Sequence, residues 1–117
     1  MPPTTSFDFG DVVLVPFPFT DQSGSKKRPS VVVSSPSYNQ QKADVVLMPV
    51  TSQQRVSPTL GETPISDWQH AGLVAPSLVK PLFATLEQRL VMKKLGRLSP
   101  RDRDALEKSF QHVLGTS

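Results

Sequence analysis

Proline placement is the feature that most limits how this chain can fold, because twelve of its 117 residues are proline and they are spread along its whole length. Each proline fixes φ and removes a main-chain donor, so helix interiors and central ladder positions are poorly served by one. The stretches between them are short, and many are β-branched or aromatic. Short strands joined by rigid turns follow, giving a mainly β fold, and a chain of 117 residues suits one domain.

The pattern along the chain supports that class. Residues 1–8 carry prolines and threonines without a period and read as a flexible arm, with a single domain over 9–117. Asp11–Phe19 is β-branched and aromatic and broken by Pro16 and Pro18, so it reads as a strand that ends irregularly, on an edge. Thr20–Arg28 holds Asp, Ser, Gly and three adjacent cations and reads as a basic loop. Pro29–Ser34 and Asp44–Val50 contain three-residue apolar runs, as in strands buried on both faces. Thr51–Pro64 is polar and reads as a second long loop. Asp67–Gly72 suits one helical turn closed by glycine. Leu73–Leu86 reads as a strand broken near its prolines, followed by a short strand over Val91–Leu98. The end of the chain changes period: Ser99 is a good N-cap, Pro100 suits the first helical position, and Asp102 follows three residues after the cap. Leu106, Phe110, Val113 and Leu114 then recur at helical spacing up to Gly115, predicting one C-terminal amphipathic helix.

The chain has no cysteine and only two histidines, His70 and His112, which are far apart. A thiolate site is excluded and a spaced histidine pair is absent, so neither a metal nor another cofactor is expected. The N-terminus lacks a basic start followed by an apolar run, and no stretch approaches the roughly 20 apolar residues of a membrane span, so a cytoplasmic protein is expected. The net charge of +3 says little alone. Its distribution says more: from Gln22 to Gly61 the cations Lys26, Lys27, Arg28, Lys42 and Arg55 far outweigh the acids, which makes an anionic partner plausible there. A second cluster, Lys93, Lys94, Arg97, Arg101 and Arg103, is interleaved with Asp102 and Asp104 and reads first as a solvated face.

Five blocks, in order, resemble the MazF/PemK toxins. They are Gly10-Asp11-Val12-Val13-Leu14-Val15-Pro16-Phe17-Pro18-Phe19-Thr20, Gly24-Ser25-Lys26-Lys27-Arg28-Pro29-Ser30-Val31-Val32-Val33-Ser34, Met48-Pro49-Val50-Thr51-Ser52, Ala71-Gly72-Leu73-Val74-Ala75-Pro76-Ser77 and Lys94-Leu95-Gly96-Arg97-Leu98-Ser99. The resemblance spans Phe9 to Gly115. It implies an SH3-like barrel with a terminal helix, a homodimer, sequence-selective cleavage of single-stranded RNA, and a cognate antitoxin whose acidic, disordered tail crosses the RNA groove. The apolar runs also motivate the homodimer, since one small barrel can hardly bury them alone.

Metal-free RNA cleavage proceeds by attack of the 2′-OH on phosphorus, so it needs a fixed cation for the phosphoryl oxygens and groups that take and return a proton. A guanidinium presents a planar fork that fits two phosphate oxygens, and Pro29 would stiffen the backbone that aims Arg28. By resemblance Arg28 matches the catalytic arginine of the Arg-Pro block and Thr51 the threonine closing the Val-Thr-Ser strand, with Ser52 able to do the same work. Arg28 as an ordinary solvated cation and Thr51 as a plain strand residue are the competing readings. Lys26 and Lys27 are candidates for phosphate contacts, Ser25, Ser52, Gln53 and Arg55 for base or phosphate contacts, and Phe19 for stacking on a base. Phe17 and Trp68 are expected in the core, His70 and His112 are expected to be structural, and no general base is assigned. A gyrase poison of the CcdB type, which shares the barrel and cleaves nothing, and a barrel that binds nucleic acid without cutting it are the rival functions.

Overall fold

The computed structural model describes residues 6–18, 25–52 and 58–115, and of Ser25 the backbone alone. In chain order the elements are β1 (Asp11–Pro18), β2 (Ser25–Val32), α1 (Pro36–Gln41), β3 (Asp44–Ser52), β4 (Thr63–Ile65), β5 (Ser77–Val79), β6 (Ala84–Glu87), a 3₁₀ turn over Gln88–Leu90, β7 (Lys93–Arg97) and α2 (Pro100–Val113). All strand pairs are antiparallel, in the order β4-β5-β3-β2-β1-β7, with β6 also on β3. The long β3 joins the two parts of the sheet: its first half pairs with β6 and its last three residues with β5. A mainly antiparallel β fold with a C-terminal helix is what the sequence predicted.

The apolar runs are explained by burial on both faces. Val12, Val31, Met48, Val50 and Val79 pack on one side with Leu98 and Leu106. Val13, Val15, Phe17, Val32, Val45 and Leu47 pack on the other with Phe7 and Leu86. Side chains alternate along a strand, so neighbours such as Val31 and Val32 enter different clusters, and a continuous apolar run is required. These residues are all buried within one chain, while Leu14, Val33 and Val46 of the same runs are half-buried.

Several boundaries differ from expectation. Phe7 and Asp8, assigned to the arm, belong to the fold: Phe7 is buried, its carbonyl accepts from Asn39 Nδ2 at 2.7 Å, and Asp8 N–H donates to Asp11 Oδ2 at 2.8 Å. Residues 1–5 lie outside the described residues. β1 is not an edge strand, since β2 lies on one side and β7 on the other. β7 reaches only Asp11–Leu14, however, so Pro16 and Pro18 fall where β1 has a single partner among the described residues. Lys26, Lys27 and Arg28 are in β2 rather than in a loop, because pairing with Phe17, Pro16 and Val15 carries the strand further than local composition suggests. Thr51 and Ser52 likewise extend β3, held by Leu78 and Ser77. Helix α1 is an element the strand-rich reading does not include, although it carries local signals: its Ser35 cap accepts from Tyr38 N–H, and its first residue is Pro36. The strand expected over Leu73–Leu86 is two short strands.

Helix α2 begins as predicted, with Ser99 Oγ accepting from Asp102 N–H at 3.2 Å. Asp102 does not return a bond to the cap. Its carboxylate reaches across the fold and accepts from Ser66 N–H at 2.9 Å and Asp67 N–H at 2.8 Å, tying the helix start to the turn before β5. Gly115 is not the stop either; Leu114 leaves the helix in an extended conformation.

The second basic cluster is largely engaged within the fold. Lys94 Nζ lies 3.2 Å from Oδ2 of the fully buried Asp11, and Arg97 lies 4.0 Å from its Oδ1. A buried carboxylate left without cations would be costly, so these two side chains have a structural task. Arg103 donates to the Leu98 carbonyl at 2.7 Å, and Arg101 to Asp67 Oδ1 at 3.0 Å.

Ser99 Oγ also donates to Asp67 Oδ2 at 2.6 Å. That bond holds the Asp67 carboxyl below its ordinary 3.8; burial pushes the other way, and the charge of Arg101 adds to the lowering. A carboxylate depressed in the folded state stabilises the protein above its unfolded value, and the contribution is lost as pH falls through the folded value. Asp67→Asn is therefore expected to lower the melting temperature at neutral pH, with parent and variant converging as the pH drops below 3.8. A gap that persists unchanged in acid would show that charge is not the cause.

Candidate active site

The site forms where β2 and β3 part. Their ladder runs Val32↔Leu47, Val31↔Met48, Ser30↔Pro49 and then stops. Pro29 and Pro49 contribute no N–H donors at this point, and β3 turns to β5: Lys80 N–H donates to the Pro49 carbonyl at 2.9 Å, and Val50 pairs with Val79. Continued by two residues, the register would set Arg28 opposite Thr51. With the strands splayed, the two residues instead share a cavity of about 240 Å³, lined also by Pro29, Val50, Ser52 and Ser77.

Its far wall is the segment Gly72–Ala75 together with Leu95 of β7. Asp67–Gly72 forms the expected helical turn: Ala71 N–H donates to the Asp67 carbonyl and Leu73 N–H to the Trp68 carbonyl, while Gly72 closes the turn at φ +82°. The wall is pressed tightly against β7. A Cβ on Gly72 would lie 2.2 Å from the Leu95 carbonyl oxygen, and one on Gly96 2.5 Å from that of Ala71. Two glycines thus let two backbones meet in a seam that sets the wall's distance from Arg28 and Thr51.

Arg28 is half-buried rather than exposed, Thr51 is half-buried, and Ser52 is exposed. Among the described residues the Thr51 hydroxyl has no hydrogen-bond partner, whereas Ser77 Oγ donates to the Ala75 carbonyl at 2.8 Å. A guanidinium and an uncommitted hydroxyl on facing strands, in a small hollow with mainly apolar walls, suit an anion with several oxygens, because low polarity around a fixed charge strengthens its pull.

The other predicted residues distribute as follows. Lys26 and Lys27 are exposed on β2, beside the cavity and outside its lining. Phe19, Gln53, Arg55 and the side chain of Ser25 lie outside the described residues. Phe17 is in the core, and Trp68 packs against the cluster under α2, as expected. His70 sits in a separate polar hollow with Asp67, Trp68 and Ser99, away from Arg28. Leu73, Val74, Ala75, Ser77 and Leu95 were not foreseen as lining; the one local sign was Gly72, which marks a turn just before them. Among the described residues no cluster of three potential metal ligands occurs, and no helix is long and apolar enough to cross a membrane.

Comparison with known proteins decides the family. The model of PemK-like, MazF-like toxins of type II toxin-antitoxin systems matches residues 8–114. The chain belongs to this family. Solved structures of MazF-type proteins have the same fold at low identity. An endoribonuclease from a mycobacterial species, solved in complex with its cognate antitoxin, superposes with a TM-score of 0.72 at 18% identity, covering 97% of this chain and 98% of that one. The Mycobacterium tuberculosis toxin MazF-mt6 gives 0.74 at 18% identity, covering 92% and 98%. MazF in a MazE-MazF structure from Deinococcus radiodurans gives 0.73 at 24% identity, covering 97% and 100%. No curated protein matches the sequence.

Proposed function

We propose that this MazF/PemK-family chain is a sequence-selective endoribonuclease toxin that cuts single-stranded RNA without a metal. The observation that carries the reading is the meeting of Arg28 and Thr51 in one cavity where β2 and β3 part. In the reaction the substrate 2′-oxygen bonds to phosphorus as the bond from phosphorus to the 5′-oxygen breaks. The 2′-OH proton leaves to a base and a proton reaches the departing 5′-oxygen, giving a 2′,3′-cyclic phosphate and a 5′-OH. Negative charge grows on the non-bridging oxygens in the transition state. Arg28 offsets it with the planar, delocalised charge of its guanidinium, and the Thr51 hydroxyl donates a further hydrogen bond or orients the nucleophile.

Lys26 and Lys27 extend positive charge along β2 from the cavity and would hold flanking phosphates independently of sequence. An acidic antitoxin segment would compete for the same cations; solved relatives in antitoxin complexes support such a partner. The active form is a homodimer in this reading, which sedimentation at micromolar concentration checks.

The decisive experiment is to incubate the purified, antitoxin-free protein with mixed-sequence single-stranded RNA in EDTA and to map the ends. Fragments with cyclic phosphate and 5′-OH termini are expected. Intact RNA at high protein concentration would refute the nuclease and favour a poison that binds protein, or a barrel that binds nucleic acid without cutting.

A further inference from the structure

Val74 is 96% exposed, yet it stands on the rim of the Arg28–Thr51 cavity between Leu73 and Ala75. A valine this exposed adds little to folding. Its peptide group is also uncommitted: among the described residues neither its N–H nor its carbonyl makes a hydrogen bond. The flanking groups are engaged, with Leu73 N–H donating to Trp68 and the Ala75 carbonyl accepting from Ser77. The segment is fixed from below by the Gly72–Gly96 seam, so an apolar side chain and a free peptide are presented by a rigid backbone.

We infer that Val74 is a specificity-determining residue, which packs on one unstacked nucleobase next to the scissile phosphate while its peptide group bonds to the edge of that base. The inference rests on the nuclease reading. A cavity of about 240 Å³ lies below the range typical of whole drug-sized ligands, so it admits one base with its phosphate at Arg28 rather than two stacked bases. Leu73, Ala75, Leu95, Pro29 and Val50 supply the apolar surfaces a base face needs, and single-stranded RNA is read by splaying a base onto such a surface and bonding its edge.

The test is cleavage of a randomised single-stranded RNA pool by the parent, Val74→Ala, Val74→Arg and, as a surface control, Leu82→Arg, with the base preference tabulated at every position around the cut. Val74→Ala is expected to relax the preference at a single flanking position, and Val74→Arg to redirect it there by about tenfold, the discrimination a side chain bonded to a base edge supplies. Other positions and the Leu82 variant should keep the parental profile. Unchanged profiles in both Val74 variants, or equal changes at several positions, would overturn the role of Val74 and leave the nuclease standing. A parent that cuts nothing would remove both.

Discussion

Arg28→Ala is expected to lower single-turnover RNA cleavage by about 10²–10³-fold or more, the loss seen when one preorganised donor to a developing oxyanion is removed. The loss should lie in the chemical step, with RNA affinity falling much less because Lys26 and Lys27 remain. Arg28→Lys should recover only part of the rate: it restores a charge but not the planar fork that meets two oxygens at once. The fold should survive, since the ladder pair Val15↔Arg28 is a backbone relation that alanine can keep. Arg28 is half-buried, so a modest drop in melting temperature from lost stem packing is expected. Cleavage rates and thermal melts on the same preparations separate the two effects. Full activity in a folded Arg28→Ala protein would refute the assignment, and collapse of the fold would make the residue structural.

Gly72→Ala should be the most disruptive small change to the fold near the site. Alanine at φ +82° is strained, and its Cβ would sit 2.2 Å from the Leu95 carbonyl oxygen, a backbone atom that cannot rotate away. The turn would have to lift from β7. A loss of about 2–4 kcal/mol is expected, lowering the melting temperature by roughly 10 °C or more. The wall over the cavity would move with the turn, so cleavage should fall even at temperatures where the variant stays folded. Gly115→Ala is the matched control: nothing lies within 4 Å of its added Cβ, and its melt should shift by less than about 0.5 kcal/mol. If both variants melt together, the seam does not hold the wall.

Legibility in the sequence followed the range of the forces involved. Helix α2 was visible because cap, first-turn proline and apolar stripe are all local signals, and burial of β2 and β3 on both faces was visible as unbroken valine runs. The start of β2 was not, because three adjacent cations look like a loop until β1 lies beside them. Asp102 was correctly placed at a helix start, but its bonds to Ser66 and Asp67 cross 36 and 35 residues and leave no local trace. Arg28 and Thr51 were identified singly through the family pattern of their neighbours; the residues that close the cavity around them were missed, because apolar residues after a turn look alike whether they line a site or a core.

The sequence alone determined the strand-rich class and the terminal helix, since these rest on backbone propensity and periodicity, while its resemblance to the family singled out the two side chains proposed for the chemistry. Only the tertiary structure decided that Arg28 and Thr51 face one hollow, that Lys94 and Arg97 serve the buried Asp11, and that Val74 stands at the rim. Those facts depend on which strands pair, where the ladder ends at Pro29 and Pro49, and how closely Gly72 and Gly96 allow two backbones to approach. Each is a relation between segments distant in the chain, and hydrogen-bond register and steric contact, rather than local composition, decide it.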